Sequence, residues 1–168
     1  MTKALLQVLA VLLCTFFISA AGASPLAIGK PAPDFALPNL QGKNLRLSEY
    51  RSDVIVLNFW ATWCNRCGDS IRMLNAVYQA HQVEGLQILA VGVDFSNPKT
   101  AAFADDLQAA FPLLADDSQN TVSKAYDLGK LPLTLVIDRE GNVRFIHKGF
   151  DKDTGQQIAA QVAELLAE

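Results

Sequence analysis

Two cysteines, Cys64 and Cys67, stand two residues apart directly after Val54 to Trp60, a run that is apolar except for Asn58. That spacing suits thiol-disulfide exchange, in which one thiolate attacks and a second sulfur, about one helical turn further on, resolves the mixed disulfide. A helix that starts at the pair turns unpaired N–H groups and a partial positive charge toward the sulfurs, which favours thiolate over thiol. Cys64 therefore reads as the attacking sulfur and Cys67 as the resolving one. Arg66 between them adds positive charge that favours the Cys64 thiolate. A metal centre needs more than two thiolates, since tetrahedral zinc wants four ligands. His81 and His147 are the remaining candidates and read as structural or surface residues, so no metal and no cofactor is expected.

The elements that must hold this pair are legible around it. Val54 to Trp60 reads as a strand covered on both faces, and Leu86 to Val93 as a second one. Between them Ile71, Leu74, Tyr78 and His81 recur at helical spacing, with Gly85 as a stop. The segment 54–93 is thus a βαβ unit, whose parallel strands need the crossover helix. Upstream, Pro25, Pro31, Pro33 and Pro38 exclude helix, and Phe35 to Leu37 and Leu45 to Leu47 face each other as a hairpin around Gln41-Gly42. Ser48 to Arg51 reads as one helical turn.

Downstream, Asn97-Pro98 begins a helix with Ala101, Phe103 and Leu107 on its apolar face. Phe111 to Leu114 adds a short strand, and Asp116-Asp117-Ser118 caps a small helix through Asp127. Leu133 to Ile137 and Val143 to His147 form an antiparallel pair about the turn 138–141, and a helix over 154–166 turns Ile158, Val162 and Leu165 to the sheet. This order gives a mixed sheet with helices on both faces. The thiols fall at the carboxyl end of a central strand, where open α/β sheets place their sites.

The 168-residue chain carries a formal net charge of −3. Residues 1–23 open on Lys3, continue through an uncharged apolar stretch and end in Ala21-Gly22-Ala23, the pattern of a cleaved secretory signal peptide. An uncleaved membrane anchor is the alternative. Cys14 reads as part of that segment, because Leu13 precedes it where a lipid-attachment site wants a smaller residue. Removing residues 1–23 makes the balance one unit more negative, which leaves no electrostatic footprint for nucleic acid. Residues 24–168 suffice for one domain with one sizeable core. An exported domain with a single Cys-x-x-Cys is no multi-disulfide scaffold, so the pair is either catalytic or a local staple. A disulfide closing so short a loop restrains little chain entropy, which argues against the staple.

Pro31-Ala32-Pro33-Asp34-Phe35, the run Asn58 to Cys67, Leu131-Pro132-Leu133-Thr134 and Ile137 to Val143 occur in this order. Together they resemble the landmarks of exported thioredoxin-like thiol-disulfide oxidoreductases of the TlpA/ResA type, over nearly all of residues 24–168. The resemblance implies an α/β thioredoxin-like fold: a mixed central sheet with helices on both faces, an N-terminal β-hairpin and an inserted helix. It implies a monomeric periplasmic or otherwise exported enzyme that reduces oxidised cysteines of exported client proteins, such as apocytochrome c. A membrane thiol-electron donor would re-reduce it. By position, Cys64 is the nucleophile and Cys67 the resolving thiol. Trp63 flanks the exposed sulfur, and Pro132 is a cis-proline that leaves the backbone of Leu131 free to pair with a client strand.

The departures from the family are informative. Asn58 stands six residues before Cys64, where thioredoxins carry a buried Asp that manages the proton of the resolving thiol, and Asn cannot take a proton. Asp94, at the end of the second buried strand, is the acid available for that role, the alternative being a loop-entry turn or cap. Gly68-Asp69-Ser70-Ile71-Arg72 lacks the family's frequent Glu and helix-kinking Pro, and Gly68 early in a helix costs about 1 kcal/mol relative to Ala. A peroxidase would want Thr three residues before its cysteine and a proline ahead of it, whereas Thr62 is two before Cys64. The same dithiol run in reverse makes a thiol oxidase or isomerase. A non-catalytic thioredoxin-fold binding module is the remaining alternative.

Overall fold

The computed structural model describes residues 26–95 and 99–168. The expected signal segment and the Asn97-Pro98 helix start lie outside the described residues. Among the described residues no helix is long and apolar enough to cross a membrane. The elements run β1 (Ala36–Pro38), β2 (Asn44–Arg46), β3 (Val54–Trp60), α1 (Cys67–His81), β4 (Leu86–Gly92), α2 (Lys99–Leu107), β5 (Leu113–Ala115), α3 (Thr121–Ala125), β6 (Leu133–Ile137), β7 (Val143–Lys148) and α4 (Lys152–Leu166).

Five strands form the central sheet in the order β5-β4-β3-β6-β7. Every residue of β3 is buried, because the strand sits in the middle, parallel to β4 and antiparallel to β6. Strand alternation splits its side chains between two cores. Val56 and Trp60 pack with Ile71 and Leu74 of α1, Ala104 and Leu107 of α2, and Ile158 and Val162 of α4. Ile55, Leu57 and Phe59 pack on the opposite face with Leu37, Leu45, and Val122 and Tyr126 at α3. Each such fully buried side chain contributes about 1.5–3 kcal/mol. The fold is thus the thioredoxin-like one, with helices on both faces and the N-terminal hairpin as a separate two-stranded sheet.

Several boundaries differ from the sequence reading, each for a local reason. The hairpin pairs Leu37 with Leu45 and spans Ala36–Pro38 and Asn44–Arg46, while Leu47 already belongs to a 3-10 turn, Leu47–Tyr50. In α2, Ala101 is exposed and Phe103 only half-buried, whereas Thr100, Ala104 and Leu107 are buried. Positions i, i+4 and i+7 form one helical stripe; Phe103 flanks it and packs on Trp60 as expected, while Ala101 falls off it. The strand read at Phe111 begins at Leu113, since Pro112 has no N–H to give and contributes only its carbonyl, to Ala90 N–H.

Helix α4 starts at Lys152 because Asp151 caps it, accepting from Thr154 N–H at 2.8 Å. The Asp116-Asp117 cap is present: Asp116 accepts the N–H groups of Val122 and Ser123, and Asp117 that of Thr121. After α1 the chain makes a 3-10 turn, Gln82–Glu84, and leaves it through Gly85 at φ 91°, a conformation that glycine adopts without a Cβ clash.

Candidate active site

Strand β3 delivers the chain to the sulfurs. Beyond Trp60 it turns at once: Cys64 N–H reaches Ala61 O at 3.2 Å and Cys67 N–H reaches Cys64 O at 3.2 Å. Cys67 is then the first residue of α1, and no side chain caps that helix. The start of α1 therefore has no side-chain cap, its first N–H turning back to Cys64 O, and gives the positive end of the helix to the cysteines. The two sulfurs form a disulfide, with 5.5 Å between the Cα atoms. Their exposures differ: Cys64 keeps 9% of its surface and Cys67 none. An external sulfur can meet only Cys64. Trp63 beside it is 68% exposed.

The peptide bond between Leu131 and Pro132 is cis. Pro132 is buried, and its carbonyl accepts Gly149 N–H at 2.8 Å. Leu131 and Trp63 line the same open groove, of about 430 Å³, together with Val93, Leu128, Lys130 and Asn120. The fold thus brings residues about seventy positions apart in sequence to one surface beside Cys64.

Asp94 follows β4, which runs parallel to β3, so its carboxylate comes level with the loop between Trp60 and Cys64. One carboxylate oxygen, Oδ2, accepts both Thr62 N–H at 3.1 Å and Thr62 Oγ1–H at 2.5 Å. Its other oxygen is buried without a partner. The Asp94 carbonyl takes the Thr100 hydroxyl at 2.8 Å. Asp94 is therefore a clasp on the residue two before the exposed sulfur, a use that the sequence reading did not identify. Val93 N–H bonds to Trp60 O at 3.0 Å and ties the same two chain ends together. Gly92 lets them approach, since a Cβ there would lie 2.3 Å from the Phe95 ring and 3.0 Å from Trp60.

Asn58, fully buried, lies opposite Thr134 in the β3–β6 register. Its amide nitrogen donates to Thr134 Oγ1 at 2.8 Å and to Ser70 Oγ at 3.3 Å. A buried Asn announces in sequence that it needs partners. That they come from a strand 76 residues away and from the first turns of α1 is visible only in the fold. Arg66, two-thirds exposed, ion-pairs with Asp69 at 3.5 Å, and Arg72 holds the same carboxylate at 2.7 Å. Arg72 chiefly holds the Asp69 carboxyl below its usual range. At this exposure the pairs contribute little. The positive charge that the sequence places beside Cys64 is thus shared with Asp69.

The two histidines are engaged elsewhere: His81 Nδ1 lies 2.9 Å from Glu84, and His147 Nε2 lies 2.7 Å from Gln161. Among the described residues no group of three or more His, Cys, Asp or Glu is placed to hold a metal ion.

The description of the AhpC/TSA family matches residues 28–146. Over 124 residues the chain is 40% identical to thiol-disulfide oxidoreductase ResA of Geobacillus thermodenitrificans, which covers 74% of this chain and 71% of that protein. It is 32% identical to ResA of Bacillus subtilis over 123 residues, 73% of this chain and 68% of that one. Among solved structures, one from Chlorobium tepidum described as thiol:disulfide interchange protein DsbE superposes with a TM-score of 0.79. The two are 30% identical, and the match covers 84% of this chain and 99% of that chain.

Proposed function

We propose, from the premise that the chain belongs to the AhpC/TSA family and is a thiol-disulfide oxidoreductase of the TlpA/ResA type, that it reduces disulfides of exported client proteins. Cytochrome c maturation is the setting that the resemblance implies. The observation that carries the reading is the inequality of the two sulfurs, one at the surface beside Trp63 and one fully buried at the start of α1. In the reduced enzyme the Cys64 thiolate attacks a client disulfide. A bond forms between Cys64 Sγ and one client sulfur, and the other client sulfur leaves as a thiolate. Cys67 then loses its proton and attacks Cys64 Sγ, which re-forms the enzyme disulfide and releases the second client sulfur.

Trp63 and Leu131 flank the approach, and the backbone of Leu131, held by cis Pro132, pairs with the client chain. Asp94, with one carboxylate oxygen free of donors, handles protons during exchange. The Arg66 charge, together with the end of α1, favours the Cys64 thiolate. Residues 1–23 export the chain. A membrane thiol-electron donor restores the dithiol, and the enzyme works as a monomer. The reducing direction is the one that the resemblance to the TlpA/ResA type implies.

Two measurements test this. Equilibration with a dithiol buffer gives the reduction potential, expected toward the reducing end of the roughly −270 to −120 mV that such motifs span. A value at the oxidising end would instead assign the same two sulfurs to an oxidase or isomerase. Cys67→Ser is expected to accumulate mixed disulfides between Cys64 and exported proteins, identifiable by mass spectrometry. Finding none, with a Cys64→Ser strain behaving as wild type, would leave a binding module.

A further inference from the structure

Trp63, Val93, Leu128 and Leu131 give the groove beside Cys64 apolar walls, and among the described residues Lys130 is the only charged one that lines it. The other cations near the sulfurs are compensated. Arg66 and Arg72 share the Asp69 carboxylate, and Arg66 also acts on Asp151. No carboxylate of the described residues pairs with Lys130. Packing gives this side chain its seat instead. A Cβ on Gly149 would stand 2.9 Å from both Lys130 Cε and Nζ, and 3.5 Å from Cδ, so the far half of the side chain lies on the Gly149 backbone. Gly149 N–H in turn bonds to Pro132 O at 2.8 Å. The ammonium therefore rests over the cis-proline turn, on the residue next to Leu131.

We propose that Lys130 is a specificity-determining residue, and that the client it selects is an extended segment with Asp or Glu one or two positions from its cysteine. This rests on the sulfur roles and the Leu131 pairing proposed above. A strand paired with Leu131 advances about 3.3 Å per residue, so the client residue next to the paired one comes level with Lys130. A carboxylate there meets a cation that no acid of the protein already occupies. Long-range charge works the other way: the chain's formal net charge of −3 repels an acidic segment. A preference for acid beside the cysteine is thus a local property of the groove, and Lys130 is the group that supplies it.

The test is single-turnover attack by the reduced enzyme on peptides whose one cysteine is a 2-pyridyl disulfide, with Glu, Gln or Lys at the two positions on either side. The Cys64 thiolate bonds to the peptide sulfur and the pyridine thiol leaves, so its absorbance reports the rate whichever direction the enzyme serves in the cell. The Glu peptide is expected to react about three- to tenfold faster than the Lys peptide, with Gln between them, as one partly exposed ion pair replaces one like-charge contact. Lys130→Gln should level the three rates, Lys130→Glu should invert their order, and Lys130→Arg should keep it. Lys130 is exposed, so these variants fold. Salt at about 1 M should erase the preference. Lys43→Gln, which removes the same charge from the hairpin turn, should leave it as in wild type.

A Glu-to-Lys rate ratio equal within about 1.5-fold in wild type and Lys130→Gln overturns the proposal, as does a preference that Lys43→Gln abolishes equally. The uncharged 2-pyridyl disulfide of 2-mercaptoethanol separates this failure from that of the sulfur roles. Equal rates on it in every Lys130 variant show that the sulfurs act as proposed and that the charge preference belongs to Lys130. Attack on it by Cys64→Ser as fast as by wild type would overturn the sulfur roles and this inference with them.

Discussion

Asp94 joins the end of β4 to the loop that carries Cys64, so its removal perturbs stability and chemistry by separable amounts. Its Oδ2 accepts two hydrogen bonds from Thr62, one of them a 2.5 Å contact from the hydroxyl. That length is typical of an O–H donor on a carboxylate. Hydrogen bonds to charged groups contribute about 1.5–3 kcal/mol each. These two share one oxygen at a partly exposed residue, so Asp94→Ala should cost about 2–3 kcal/mol in total rather than twice the single value. For a domain of this size that lowers Tm by roughly 6–10 °C.

Asp94→Asn keeps an oxygen for Thr62 and loses only the charge, so its stability should fall by about 1 kcal/mol. The two variants separate clasp from proton handling. If Asp94 moves a proton, Asp94→Asn slows reduction of a model disulfide by about 100-fold, the low end of acid–base effects, and flattens the pH–rate profile. If Asp94 is only a clasp, Asp94→Asn keeps the wild-type profile while Asp94→Ala is slower in proportion to its lost stability. Calorimetry of the oxidised protein and stopped-flow kinetics from pH 5 to 9 read the two effects. A wild-type pH–rate profile in Asp94→Asn would refute proton handling. An unchanged Tm in Asp94→Ala would refute the clasp.

Other expectations are local. Gly68 lies in the first turn of α1, and a Cβ there would meet only the guanidinium end of Arg72, at an ordinary contact distance of 3.5 Å. Gly68→Ala should therefore raise stability by about 0.5–1 kcal/mol, read as a higher urea midpoint. Gly92→Ala should cost about 1–3 kcal/mol, because its Cβ cannot share space with Phe95 unless that ring leaves Trp60; loss of near-ultraviolet Trp signal would report the movement. Burial raises the Asp34 pKa, but bonds from Arg46 and Ser48 outweigh it and hold the carboxyl below its ordinary value. A depressed carboxylate stabilises the fold above its ordinary pKa, and that contribution disappears as pH falls through the lower, folded value. Acid unfolding of Asp34→Asn should accordingly be less steep than that of wild type below about pH 4, by circular dichroism.

How much of this could be read in sequence depends on the range of the interaction concerned. Val54–Trp60 and Leu133–Ile137 were legible to the residue, since a strand buried on both faces must be continuously apolar. On α2, Phe103 and Leu107 do turn to the core, Phe103 against Trp60, whereas Ala101 is hydrophobic but out of phase and stays exposed. Pro112 shifted a strand start by removing one donor, a local effect that the apolar run concealed.

The site divides the same way. Trp63, Cys64 and Cys67 fall within five consecutive residues, and their order along a strand-to-helix turn already points to an attacking and a resolving sulfur. Asn58 could be recognised as a buried polar group, but its partners Ser70 and Thr134, and the vacancy on its oxygen, belong to the register of β3 against β6 and to the seating of α1. The bond from Asp94 to Thr62 likewise exists only because β4 runs parallel to β3 and ends at the same height. The sequence by itself determined the reaction, because covalent chemistry needs particular atoms at a short spacing along the chain. Which groups bond to the loops around those atoms is a matter of the fold, because hydrogen bonds act over about 3 Å and reach partners far away in the chain only once the chain has folded.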